Sequence, residues 1–175
     1  MEPVAVADVA DATELAYVAA RTFPLACPPT ATPENIAAFI DAHLSADRFV
    51  EYLADPQRVV LVAHDDGRIV GYCMLIRGLP DDEDVQQAVT VGPTVELSKM
   101  YVLPDNHGHG VSAALMKTTL ERAAAMAVKS VWLGVNRQNQ RAQRFYAKHG
   151  FTVTGTKTFH LGLGVEEDFV MVKAI

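Results

Sequence analysis

Residues 97–112, LSKMYVLPDNHGHGVS, constrain this chain more than any other stretch. A run with the composition of a β-strand breaks at Pro104, passes a loop carrying His107, Gly108, His109 and Gly110, and flows into the helix-like segment SAALMKTTLERAAAM. Strand, glycine loop and helix start in that order build an anion site. Glycines let the backbone curl so that several N–H groups point inward, and the helix N-terminus adds four unpaired donors and roughly half a positive charge. A phosphate fits there.

Glycine-loop phosphate sites come in several kinds. A mononucleotide loop needs G-x-x-x-x-G-K-[ST], and in this loop the last glycine, Gly110, is followed by Val111-Ser112 with no lysine. A dinucleotide loop needs G-x-G-x-x-G near the first strand, with an acidic residue about 20 residues on. Gly108 and Gly110 supply G-x-G, and Ala113 stands at the third glycine's place, but neither Glu121 nor Glu166 follows a second strand as that acid must. The two glycines alone leave a plain helix entry open, so the rest of the chain decides.

At 175 residues the chain suits one domain, residues 1–175, with a full-sized core. Half of it is hydrophobic, 21% is charged, and it has neither an 18-residue apolar run nor a cationic, apolar leader. A cytoplasmic protein without membrane partners is expected. Its two cysteines, Cys27 and Cys73, have no C-x-x-C spacing and read as free thiols. The net charge of −6 argues against a nucleic-acid surface and suits a cationic small substrate.

The remaining pattern alternates strands and helices. Residues 4–8 read as a short strand, followed by a helix entered through the capping box Asp11-x-x-Glu14. After a proline-rich loop, Thr32-Pro33-Glu34 opens a second helix, and further helical turns through Phe49 and Leu53 stop at Asp55-Pro56. Residues 58–64 and 68–77 form an antiparallel pair around Asp65-Asp66-Gly67. The acid-rich residues 78–93 read as a loop, and 94–103 as the strand leading to the glycine loop. Beyond the long helix come a strand at 130–135, a shorter helix ending at Gly150, and a hairpin of 151–161 with 166–172. The order β α α β β β α β α β β makes a mixed α/β sheet with helices on its faces.

That order, and two motifs on it, resemble the GNAT superfamily of N-acetyltransferases that use acetyl-CoA. The superfamily's phosphate arm, [QR]-x-x-G-x-[GA], is met by His107-Gly108-His109-Gly110-Val111-Ser112, with His107 and Ser112 as departures. The stretch N-x-x-A-x-x-x-Y-x-K-x-G-F is met by Asn139, Ala142, Tyr146, Lys148, Gly150 and Phe151. More narrowly, residues 96–115, 133–151, 158–162 and the ending DFVMVKAI look like the bacterial branch that includes spermidine/spermine N-acetyltransferases. The resemblance implies a central, mostly antiparallel sheet of about seven strands, splayed between the fourth and fifth. It also implies an acetyl-CoA site made by Met100, Tyr101, Val102, residues 107–113, Asn139 and Lys148.

The chemistry sets further requirements. A primary amine with pKa near 10.4 is only about one part in 2,000 neutral at pH 7, so it must lose a proton before attacking a thioester. By resemblance Glu96 is the carboxylate that relays that proton through water; paired with Lys99 it would be structural instead. The departing thiolate needs a proton or a donor, and by resemblance Tyr146 faces the sulfur, although Phe145 and Tyr146 also suit a helix's apolar stripe. Main-chain groups of Met100, Tyr101 and Val102 would hold pantetheine and the thioester carbonyl. Arg137, Arg141, Arg144 and Lys148 form a basic stripe that is either solvated or in reach of cofactor phosphates. His107 and His109 lack a third ligand, so no metal is expected. The acidic run at 81–84 either attracts a polyamine or is a hydrated loop. The expected activity is direct acetyl transfer to a small polyamine or related amine, with a peptide amine, a non-catalytic acyl-CoA sensor and a dinucleotide-binding module as rivals. Homodimers are frequent in the superfamily.

Overall fold

The computed structural model describes residues 2–175. Seven strands form one sheet: β1 (Ala5–Val6), β2 (Arg58–Asp65), β3 (Arg68–Arg77), β4 (Thr94–Val102), β5 (Ser130–Asn136), β6 (Thr152–Leu161) and β7 (Gly164–Ala174). Their spatial order is β1-β2-β3-β4-β5-β7-β6. Only β4 and β5 pair in parallel, and their ladder covers just Thr94 to Glu96 against Ser130 to Trp132. The rest of β4 diverges from β5. This is the expected splayed mixed sheet.

Two apolar layers hold the sheet because β2 and β3 bury side chains on both faces. Leu61, Ala63, Cys73 and Leu75 pack under helix α5 (Val111–Ala125), whose Leu115, Met116 and Ala123 repeat at helical spacing. Val60, Val62, Tyr72 and Met74 face the other layer, formed by α1 (Ala12–Ala26), α2 (Pro33–His43) and α3 (Ala46–Ala54). Thr32 and Ser45 cap α2 and α3 by accepting from Asn35 and Arg48 N–H. Burying an aliphatic side chain of this kind contributes about 1.5–3 kcal/mol. Helix α6 (Gln140–Lys148) leads from β5 back toward the sheet edge.

Two local expectations change. The capping box lies three residues earlier: Ala10 N–H donates to Asp8, Asp8 N–H donates to Asp11, and Glu14 instead accepts from Ile69 N–H at 2.9 Å. A strand amide 55 residues away gives Glu14 a better partner than its own helix start. The supposed loop at 78–93 contains α4 (Glu83–Ala88), with Asp82 accepting from Asp84 and Val85 N–H. Six residues dense in acids show too little periodicity to read as a helix. Val85 and Ala88 nonetheless pack against Trp132 and Val170. The acids at 82–84 therefore cap and charge a helix N-terminus.

Candidate active site

The divergence of β4 from β5 opens a cavity of about 290 Å³. Its walls include Met100, Tyr101 and Val102 of β4 and Val135 and Asn136 of β5. Beyond Glu96 the β5-facing edge of β4 has no strand partner, so its peptide groups need another one. A bulge contributes as well. Met74 pairs with Lys99 and Leu75 with Leu97, which leaves Ser98 without a counterpart and turns the strand at the cavity wall.

At one end of the cavity stands the glycine loop. Gly108 and Gly110 both have φ of +80°, a conformation costing other residues about 1–2 kcal/mol. Gly110 is the N-cap of α5 and has no side chain to satisfy the helix's first amides, which leaves an open donor set. Gly108 and Ser112 line the cavity. Val111 points the other way, buried in the core against Gly71, where an added Cβ would come within 3.2 Å of it. His109, Gly110 and Ala113 are exposed and lie outside the lining.

His107 does something the sequence did not announce. Its Nε2 lies 2.7 Å from the Val102 carbonyl oxygen, and because a carbonyl only accepts, Nε2 carries the hydrogen. Nδ1 then accepts from Arg141, 3.3 Å away. The ring is a strut between β4, the loop and α6, with both nitrogens engaged. Of the basic stripe, only Arg141 lines the cavity; Arg137 pairs with Glu167 at 2.8 Å. Lys148 is exposed in the last turn of α6, outside the lining, where it complements the helix dipole. Asn139 is in the wall, but its side-chain oxygen is occupied as the N-cap of α6, accepting from Ala142 N–H.

Tyr146 is half-buried, lines the cavity, and is wedged edge-on against Phe145 and Phe151. Burial pushes its phenol well above the ordinary range, so the hydroxyl keeps its proton and can donate it. Glu96 sits apart from it, in a second cavity of about 110 Å³ with Lys99, Lys157 and Trp132. Burial raises the Glu96 carboxyl, and Lys99 opposes that shift. The same burial lowers Lys99 to about 8.

One carboxylate escaped sequence reading altogether. Asp168 on β7 is 7% exposed, lines both cavities, and is pushed by burial up to about 6. The only local hint was its place as the last of three acids, directly ahead of the apolar run FVMV of a strand. Among the described residues, no cluster of three His, Cys, Asp or Glu side chains could hold a metal ion, and no helix is long and apolar enough to cross a membrane.

Comparison with known proteins agrees with this geometry. The model of the acetyltransferase (GNAT) family matches residues 21–151. An uncharacterized N-acetyltransferase of Mycobacterium tuberculosis is 59% identical over 165 residues, covering 94% of this chain and 98% of that protein. Another from Lactobacillus delbrueckii subsp. lactis is 26% identical, covering 94% and 92%. Among solved structures, the PaiA N-acetyltransferase of Thermoplasma acidophilum in complex with coenzyme A superposes with a TM-score of 0.77 at 19% identity, covering 99% of this chain and 100% of that one. The ribosomal-protein-S18-alanine N-acetyltransferase of Escherichia coli gives 0.71 at 16%, covering 100% and 94%. A sheet splayed beside a glycine-capped helix, and a family match running from α1 to the residue before β6, together make this chain a member of the GNAT acetyltransferase family.

Proposed function

We propose that the protein moves the acetyl group of acetyl-CoA directly to a primary amine within a ternary complex, and that the acceptor is a small polyamine or related amine. One observation carries the reading: the unpaired edge of β4 and the open N-terminus of α5 face the same cavity. The first suits the amide-rich pantetheine arm, the second a pyrophosphate. Arg141, held by His107, stands beside them as a further phosphate partner.

The acceptor nitrogen attacks the thioester carbonyl carbon, so a C–N bond forms and negative charge collects on the carbonyl oxygen. Main-chain N–H groups of the β4 edge are the donors for that charge. The C–S bond then breaks. Tyr146, held protonated by burial, donates to the departing sulfur. Glu96 in the smaller cavity stands on a water route by which the proton that the amine loses can leave.

A polyamine is supported by carboxylates at Glu96, Glu166 and Asp168 around aromatic walls from Phe23, Tyr101 and Phe159. A peptide or amino-acid amine is a second reading, favoured by Lys99 and Lys157, which would pair with an acid group on the acceptor. A cytoplasmic setting fits the unpaired Cys27 and Cys73. The test is thiol release from acetyl-CoA with a panel of diamines, monoamines and amino-acid amides. Diamine preference supports the first reading and amino-acid preference the second. Binding of acetyl-CoA without thiol release from any acceptor would make the protein a sensor.

A further inference from the structure

Six residues line both cavities: Phe23, Ser98, Tyr101, Gly134, Phe159 and Asp168. Asp168 is the one carboxylate among them. Glu96 belongs to the smaller cavity and Glu166 to the larger.

Three strands set the position of Asp168. On β7 it stands opposite Asn136 of β5 and Lys157 of β6. A Cβ added at Gly134 would come 3.1 Å from Asp168 Oδ2 and 3.3 Å from Lys157 Cδ. The missing side chain at 134 is what lets the carboxylate lean across β5 toward the junction. The ion pairs among the described residues engage Glu14, Glu51, Asp55 and Glu167 and leave Asp168 out. Lys157 is near enough to favour the charged form but makes no ion pair with it, so the buried carboxylate is only partly compensated and an arriving ammonium group would be attracted there.

We propose that Asp168 receives the ammonium group of the acceptor where the two cavities meet and takes its proton. This role rests on the acetyltransferase reading above and names the base for it. The ammonium gives one proton to the Asp168 carboxylate, leaving a neutral amine and a carboxylic acid. The amine attacks the thioester carbon, the C–S bond breaks, and the second proton leaving nitrogen replaces the one that Tyr146 gives to sulfur. Asp168 then releases its proton to water, regenerating the carboxylate. Glu96 and Lys99 of β4, in the smaller cavity, lie along a route for that release.

The surroundings tune Asp168 for the task. Lys157 from β6 favours its charged form and Glu166 on its own strand opposes it. Tyr101 faces it from β4 with a hydroxyl that burial keeps protonated, and Phe23 from α1 is apolar. With burial dominant, the carboxyl titrates near 6, which leaves it charged at neutral pH yet more basic than an ordinary aspartate.

The experiment compares wild type, Asp168→Asn and Glu96→Gln with acetyl-CoA and 1,4-diaminobutane, n-butylamine or glycinamide, following thiol release against pH. At pH 7, kcat/KM of Asp168→Asn should fall about 10²-fold or more, with the gap closing as rising pH supplies neutral amine. Acetyl-CoA affinity should stay within about twofold, and Glu96→Gln should lose less. In parallel, the Asp168 side-chain carboxyl carbon, followed by NMR in the wild type, should titrate at lower pH when 1,4-diaminobutane is present. A wild-type pH–rate profile in Asp168→Asn, or a midpoint that the diamine does not move, overturns the proposal while the acetyltransferase reading stands. Absence of thiol release from the wild type with every acceptor overturns that reading, and the proton transfer with it.

Discussion

His107 and Val102 are joined by a 2.7 Å hydrogen bond from ring Nε2 to the main-chain carbonyl, across the point where β4 ends and the glycine loop begins. The bond uses a carbonyl at the end of β4, and it leaves Nδ1 to accept from Arg141. One side chain thus fixes the loop and aims a guanidinium at the cavity. His107→Ala should weaken acetyl-CoA binding by about tenfold, the scale of one to two hydrogen bonds. A glutamine amide can donate to Val102 and accept from Arg141, so His107→Gln should stay within about threefold of wild type by calorimetry. Equal losses in both variants would leave the strut without a role in binding.

Gly110 occupies a left-handed conformation at the open start of α5. Gly110→Glu should lower acetyl-CoA affinity by about 10²-fold or more, because it adds backbone strain and a negative charge where the pyrophosphate is proposed to lie. Asparagine tolerates that conformation and is uncharged, so Gly110→Asn should keep the fold and much of the affinity. Calorimetric titration of both variants checks this; tight binding by the Glu variant would place the phosphates elsewhere.

Tyr146 separates packing from chemistry cleanly. Tyr146→Phe keeps the ring between Phe145 and Phe151 and should change stability by about 1 kcal/mol or less. If the hydroxyl serves the departing thiolate, kcat should nevertheless fall about 10- to 10³-fold at nearly unchanged acetyl-CoA affinity. Full turnover in the folded variant would reduce Tyr146 to core.

Asp168 makes a prediction about stability that is independent of turnover. Its carboxyl is raised from 3.8 to about 6, so between those values the folded state binds more protons than the unfolded one. Stability from this group is complete below about pH 4 and is lost as pH rises through about 6. The loss amounts to about 3 kcal/mol, since each pKa unit is worth about 1.4 kcal/mol. Asp168→Asn carries no such charge and should match wild type near pH 4 but be more stable at pH 7. Denaturant unfolding at the two pH values measures it, and a variant less stable than wild type at pH 7 would show that the carboxylate is structurally paired.

The local parts of the site were legible because local physics makes them. Gly108 and Gly110 before a helix start are short-range signals of backbone freedom, and the helix begins where they predict. The same logic failed where partners were remote. Glu14 left its own helix for Ile69, and Val111, inside the phosphate motif, turned into the core.

By itself the sequence determined the elements other than α4, their order and the open helix start, all of which depend on residues within a few positions of one another. The tertiary structure decided which strands became neighbours, and so where the sheet parts. The β4–β5 ladder stops after Glu96, and β7 inserts beside β5, which carries Asp168 past the bare backbone of Gly134 to face residues some 70 positions earlier in the chain. Such a meeting leaves no period or spacing to read, because it is set by long-range packing of the two apolar layers and not by the conformational preferences of the residues that meet.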